Sequence, residues 1–309
     1  MRLRSVDLNL LVALDALLEE RHVSRAALRI GLSQPAMSNA LARLRATFGD
    51  ALLVRTPRGM EPTARGLELS GQVRQLLRQV ERVLTADAGF EPSRCETRFV
   101  LRLSDLLSRL FLPGIARALL REAPHAGLEI AHLSPAQTVQ ALETDRCDLA
   151  LSMRLEHGGS IVRQPLLADR MVCVMRRDHP AARGRLDLER LLTLQHLRVS
   201  ISPVDSRFVD DALARLGRRR RVAANVPHWL VVPEVLRATD LVAVMPQRLA
   251  DVLARAADGF ARRELPLPET AFDWALYWHR RHEGSAQHAW LRNLVASSMQ
   301  AGGTNGRKH

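Results

Sequence analysis

Lysine is all but absent. Lys308 is the only one, so nearly all of the basic charge is arginine. A net charge of +12 points toward nucleic acid when taken alone. An arginine bias of this kind also follows from codon usage in a GC-rich genome, so the overall charge is weak support. Cysteine is scarce too: Cys95, Cys147 and Cys173 stand apart, which excludes a disulfide framework and a cysteine-based metal spacing. No run of roughly 18 apolar residues exists, which excludes a membrane-spanning helix. Asp7 and Asn9 interrupt the apolar start, so the N-terminus does not read as a secretion signal, and a cytoplasmic location is the default expectation. There is no Gly-rich phosphate loop, nucleophile elbow or pair of carboxylates with supporting spacing, so no enzyme, metal or cofactor is expected. His279 and His282 are spaced H-x-x-H but lack further ligands, and read as surface histidines. The run Arg218–Arg221 follows a helix end at Gly217, where cations suit the dipole; it reads as a solvated loop.

What is present begins with length and apolar content. A chain of 309 residues suffices for about two or three domains, and a hydrophobic fraction of 47% supports real cores. One stretch organises the chain: residues 24–48, SRAALRIGLSQPAMSNALARLRATF. Two short helical patterns flank Gly31-Leu32-Ser33. In the second, Met37, Leu41, Leu44 and Phe48 fall at i, i+4, i+7 and i+11, one apolar stripe on a helix of period 3.6. The opposite face carries Pro35, Ser38, Asn39, Ala42, Arg43 and Ala46, small or polar side chains that leave it open to a flat surface. Ser33 is placed to cap this helix, Pro35 is tolerated in its first turn, and Ser24 can cap the helix before it. Such a pair describes a helix-turn-helix, whose second helix enters the DNA major groove. The charge agrees locally: residues 1–93 hold 13 basic against 10 acidic residues, whereas 24–65 hold seven arginines against only Asp50 and Glu61.

Before this unit, residues 6–20 form a helix with Leu8, Leu11, Asp15 and Leu18 on one side and Leu10, Leu14 and Leu17 beside it. That arc is wide enough to pack on both following helices. After the unit, Gly49-Asp50 is a turn, Leu52–Val54 a short strand and Arg58-Gly59 a hairpin tip. This is a wing, with Arg55 and Arg58 facing phosphates or the minor groove. A long helix then runs from Ala64 to about Asp87. Leu69, Val73, Leu76, Val80 and Val83 alternate spacings of four and three, a heptad seam that wants a helical partner. The first helix is one candidate. A second copy of the same helix is the stronger one, because a long projecting helix cannot bury its seam alone. Dimerisation would offer two recognition helices to two half-sites.

Residues 88–95 read as a linker or hinge. From 97 the period changes. Strand patterns at 97–103, 128–132, 149–153, 171–176, 222–226 and 241–245 alternate with helical stretches near 109–122, 137–145, 205–216, 232–238 and 246–257, which argues for an α/β domain with mostly parallel sheets. Extended crossings near 161–168 and 264–272 point to two lobes. A strand at Trp274–Trp278 and a helix from about Ser285 return to the first lobe, and 300–309 read as disordered.

This order of elements resembles the LysR-type transcriptional regulators over essentially residues 1–298. The sharpest part is DLNLLVALDALLEERHVSRAALRIGLSQPAMSNALARLRATFGDALLVRTPRGMEPTARG, similar to the branch of nodulation and aromatic-degradation regulators. The resemblance implies an α/β protein with an all-α N-terminal head. Its parts would be a winged helix-turn-helix (1–62), a linker and dimerisation helix with hinge (63–93) and a two-lobed, periplasmic-binding-protein-like effector domain (94–300). Lobe I would span about 94–163 and 270–298, and lobe II about 164–269. Implied partners are double-stranded promoter DNA, RNA polymerase, further copies in a homodimer or homotetramer, and a small-molecule co-inducer, a small aromatic or organic acid. No membrane or cofactor is implied.

Carried over residue by residue, the family's recognition contacts fall on Gln34, Pro35, Ser38, Asn39 and Arg43. Gln34 suits bidentate bonding to adenine, and Pro35 offers an apolar face to a thymine methyl. Arg25, Ser33, Arg45 and Thr63 become phosphate partners, joined by Arg55 and Arg58 of the wing. Arg25 and Arg45 can instead sit in solvent or pair with acids within the domain. In α/β sheets ligands sit beyond the carboxyl ends of the strands. Here those ends are Ser104-Asp105, Ser134 and Ser152-Met153 in the first lobe. In the second they are Ser200-Ile201-Ser202, Pro227-His228 and Pro246-Gln247. Ser104 and Ser202 offer hydroxyls to an anionic or phenolic ligand, His228 can bond or charge-pair with it, and Phe208 and Trp229 are the nearest aromatics. Ser104 can equally cap the next helix, and a lone histidine is more often structural. Two other functions compete: an enzyme with a DNA-binding head, which lacks a catalytic constellation, and an architectural or constitutive DNA-binding protein whose C-terminal domain serves only oligomerisation.

Overall fold

A computed structural model of the chain describes residues 7–57, 59–85, 89–201, 208–256 and 259–304. Arg58, Ser202 and the side chain of Val83 lie outside them. The chain divides into two compact units, Met1–Gly89 and Phe90–His309.

The first unit contains α1 (Asn9–Glu20), α2 (Val23–Arg29), α3 (Gln34–Phe48), a two-stranded ribbon of β1 (Leu53–Thr56) and β2 (Gly59–Pro62), and α4 (Ala64–Thr85). One apolar cluster joins them: Leu10, Leu14 and Leu17 of α1 with Met37, Leu41 and Leu44 of α3, Leu52 and Leu53, and Leu69 and Val73 of α4. Each such burial contributes about 1.5–3 kcal/mol. The α3 stripe therefore faces inward, with Phe48 half-buried. Ser33 caps α3 by accepting a hydrogen bond from the Ala36 amide at 3.3 Å. Gly31 turns the chain into α3 with φ +69, a conformation that favours glycine. The preceding helix differs from expectation. His22 caps α2, accepting from the Arg25 amide at 3.4 Å, so Ser24 lies inside the first turn.

The heptad pattern of α4 also divides. Leu69 and Val73 are buried within the head, while Leu76 and Val80 are 42% and 44% exposed. The broad apolar arc of α1 covers the first turns of α4, so Leu69 and Val73 are not available as an intermolecular seam.

The second unit runs β3 (Arg98–Arg102), α5 (Asp105–Glu122), β4 (Gly127–Ala131), α6 (Pro135–Glu143), β5 (Leu149–Ser152), β6 (Ile161–Arg176), α7 (Leu188–Thr193), β7 (Gln195–Val199), α8 (Phe208–Arg215), β8 (Arg221–Val226), α9 (Val232–Ala238), β9 (Leu241–Pro246), α10 (Gln247–Ala256), β10 (Phe260–Glu264), β11 (Ala271–His279) and α11 (Ala286–Thr304). The strands follow the order β4-β3-β5-β11-β6-β9-β7-β8, with β10 also on β6. β3 is parallel to β4 and β5, and β7 to β8 and β9. β6, β10 and β11 pair antiparallel, so the sheet is mixed rather than mostly parallel. Of the two expected crossings, 161–168 is strand and pairs with Asp273–His279, while only the ends of 264–272 reach β6, Glu264 opposite Val172 and Ala271 and Phe272 opposite Arg170 and Asp169. One apolar cluster runs through both halves, holding Leu101, Leu151 and Leu291 together with Val172, Val199, Met245 and Trp274. The edge strand β8 alternates exposed and half-buried residues, as a strand with one face in water does. Interior β3 and β5 are nearly continuous apolar runs. α11 continues to Thr304, past the expected start of disorder at 300; residues 305–309 lie outside the described residues. Among the described residues, no helix is long and apolar enough to cross a membrane.

Candidate DNA interface and effector site

Gln34, Pro35, Ser38, Asn39, Ala42, Arg43 and Ala46 are all exposed, opposite buried Met37, Ala40, Leu41 and Leu44. The face is flat and polar because every long apolar side chain of α3 is turned inward. Arg43 pairs with Asp7 at 3.2 Å, with both side chains partly exposed. Such surface pairs are weak, so a phosphate can displace the carboxylate. Arg55 is exposed on β1.

Three other residues expected at phosphates are tied into the head. Arg25 donates to the Glu20 carboxylate at 3.2 Å and the Glu20 carbonyl at 2.7 Å. Thr63 donates to Asp50 Oδ1 at 2.6 Å and accepts from the Gly66 amide at 3.0 Å, so its hydroxyl opens α4 rather than facing outward. Arg45 donates to the carbonyls of Ala51 and Leu53, both at 2.9 Å. Asp50 Oδ1 also accepts from the Leu52 amide at 2.6 Å. The Thr63 hydroxyl and the Leu52 amide hold the Asp50 carboxyl below the usual carboxylate range. Leu52 has φ +58, a strained conformation for a leucine. A Cβ at Gly66 would lie 2.4 Å from the Leu52 carbonyl oxygen, so only glycine admits that approach.

In the second unit, the carboxyl ends of β3, β4 and β8 come together. Asp105 Oδ2 accepts from the Leu230 amide at 3.0 Å, while its Oδ1 is buried without a hydrogen-bond partner. The His132 and His228 rings lie 5.5 Å apart. Burial lowers the pKa of His132, opposed by Asp105 and reinforced by Arg102 and His228. Arg102 donates to the Leu133 carbonyl at 3.1 and 2.8 Å and to the Leu151 carbonyl at 3.0 Å, lacing the ends of three neighbouring strands. His132 was missed by sequence reasoning, although it directly follows β4 and the strand-end rule would have found it.

The remaining expected effector residues divide. Ser104 caps α5 through the Leu107 amide at 3.3 Å. Ser134 is buried in a capping box with Gln137, so it is burial, not the cap, that sets it apart from Ser104. Pro246 is buried at the end of β9, beside Met171 of β6, a packing position. Ser200 is buried, its amide donating to the Val226 carbonyl and its carbonyl accepting from Asn225. Met153 packs against both larger clusters of the unit. Phe208 lies tilted at 51° to Phe272, ring centroids 6.5 Å apart, and Phe272 meets Trp274 edge-on. Trp229 is half-buried against the shared core.

One residue in each of two features read as surface is drawn inward. His282 is buried, bonded to buried Asp145 at 2.9 Å and stacked on His288 at 4.8 Å. Arg220 inside the arginine run donates twice to Asp210, at 2.7 and 2.9 Å. Buried Asp145 and half-buried Asp210 each fix a side chain that spacing alone leaves in solvent.

Both units of the chain match known families. Residues 8–67 match the family model described as "Bacterial regulatory helix-turn-helix protein, lysR family". Residues 96–300 match the "LysR substrate binding domain". The chain is 36% identical over 299 residues to the HTH-type transcriptional activator NahR of Pseudomonas putida, covering 96% of this chain and 98% of that one. It is 33% identical to nodulation protein D 2 of Sinorhizobium fredii, covering 96% and 94%. Among solved structures, a probable transcriptional regulator from Pseudomonas aeruginosa superposes with a TM-score of 0.79 at 34% identity, covering 95% and 97%.

Proposed function

The chain belongs to the LysR family of bacterial transcriptional regulators, and we propose that it reads its promoter through Gln34, Pro35, Ser38 and Asn39. It is a DNA-binding regulator, not an enzyme, and it responds to a small-molecule inducer held by its α/β domain. The observation that carries the recognition face is the sharp division of α3, bare and polar outside, apolar and buried inside. Arg43 and Arg55 add phosphate contacts. A second copy of the chain docks along α4 at Leu76 and Val80, with Val83 next in register. The inducer, a small aromatic or organic acid, meets Ser104, Asp105, His132, His228 and Trp229. The protein works in the cytoplasm, where promoter DNA and RNA polymerase are found.

Footprinting over the upstream promoter tests this. The wild type protects a bounded site, and its affinity falls steeply with salt. Ser38→Arg abolishes that protection while thermal unfolding stays unchanged. A wild-type footprint from the variant would show that the recognition face is misplaced, and no protection at any neighbouring site would end the regulator reading. Repeated with small aromatic acids and phenols, the pattern shifts for the wild type and not for His228→Ala.

A further inference from the structure

Arg45 lies on the last turns of α3, distant along the helix from Gln34–Ser38. Its Nε and Nη2 donate to the carbonyls on either side of Leu52, while its own carbonyl accepts from the Gly49 amide at 2.9 Å to close the helix. We propose that Arg45 is a positioning residue that fixes the wing against the recognition helix, and thereby sets DNA affinity without bonding to DNA. The affinity half of this rests on the reading that Arg55 of the wing meets DNA.

Three observations support it. The wing strands have four residues each, too few for a hairpin to hold itself in water. Its root passes through Leu52 in the left-handed region, a conformation that needs outside support. That support comes from the Arg45 fork on the two flanking carbonyls, from Asp50 on the Leu52 amide, and from the Thr63 amide donating to the Leu52 carbonyl at 3.0 Å. Arg55 lies two residues beyond Leu53, so any swing of the root displaces its guanidinium. Lysine cannot reproduce the fork. Its ammonium is a single point on a flexible stem, whereas guanidinium presents donors in a fixed plane.

The test compares Arg45→Lys, Arg45→Met and Arg55→Ala in the full-length protein. Hydrogen exchange of DNA-free protein speeds up at residues 50–63 in both Arg45 variants and not in Arg55→Ala, while exchange in α1 stays as in the wild type and reports an intact head. DNA affinity falls about ten-fold in both Arg45 variants, the scale expected from losing charge-assisted hydrogen bonds. Arg55→Ala weakens the wild type but weakens Arg45→Lys little further. Wild-type exchange at 50–63 in Arg45→Lys overturns the clamp. Wild-type affinity in Arg45→Lys assigns the residue a simple phosphate contact instead, and additive penalties with Arg55→Ala also overturn the proposal. If Arg55→Ala alone leaves affinity unchanged, the wing reading falls and the affinity half with it, while the exchange result still decides the clamp.

Discussion

His196 shows what burial does to a single side chain. It is fully buried on β7, its Nε2 donating to the Leu191 carbonyl at 3.0 Å. Its Nδ1 has no partner, so protonation there would place an unbonded charge in the core. Burial holds its pKa down to about 4. In the unfolded chain a histidine takes up its proton near pH ~6.5. The stabilisation from a neutral His196 is therefore complete above that value and is lost as pH falls toward about 4, up to about 3 kcal/mol in all. Denaturant midpoints measured from pH 7 to 4 should fall in this window, and His196→Asn should flatten the slope. At this scale the sequence was legible where a pattern decides and illegible where a partner decides. The stripe of Met37, Leu41 and Leu44 follows from spacing alone. Ser134 with Gln137 three residues on carries the spacing of a capping box, but nothing in the spacing says that Arg45 bonds to carbonyls, or that His282 meets Asp145 from 137 residues away. Polar residues have several possible partners, and only the fold selects one.

Among the elements, α4 carries the clearest consequence. One heptad pattern serves two ends: Leu69 and Val73 complete the head, and Leu76 and Val80 remain exposed. If a second copy docks along α4 as proposed, Val80→Glu, alone or with Leu76→Glu, should halve the mass read by light scattering while the head keeps its melting temperature. Val73→Glu should instead unfold the head, because a charge enters the α1 core without a partner. An unchanged mass for the Leu76/Val80 pair would remove α4 as the contact. Long elements with a clean period were legible in advance, as α1, α3, α4 and α5 show. The six-residue α7 and the five-residue β10 were not. Short elements owe their existence to the neighbours they pair with, as β10 does to β6.

For the effector domain as a whole, the issue is whether its two halves are one folding unit. Cys147 is buried beside Leu142 and Tyr277, and Cys173 beside Met175 and Leu191. Burial pushes each thiol up to about 12, so neither should be labelled in the native state. The cluster shared across the sheet predicts one common denaturant midpoint for labelling either thiol, measured in variants that keep a single cysteine. Two separate midpoints would show independent halves. The antiparallel register bears on how this unit assembles. Arg170 and Ala271 are direct partners, and pairing continues from there to Ile161 and His279. Topologically, everything in residues 171–270 is the loop of one enormous hairpin. The entropy of closing a loop grows slowly, by about 0.6 kcal/mol per doubling of its length, so such a hairpin is thermodynamically tolerable. Kinetically it is a late event, since distant pairings are slow to form. Residues 271–304 then act as a late-arriving clasp: the ribosome must release β11 and α11 before the half of the sheet that holds β5 can be finished.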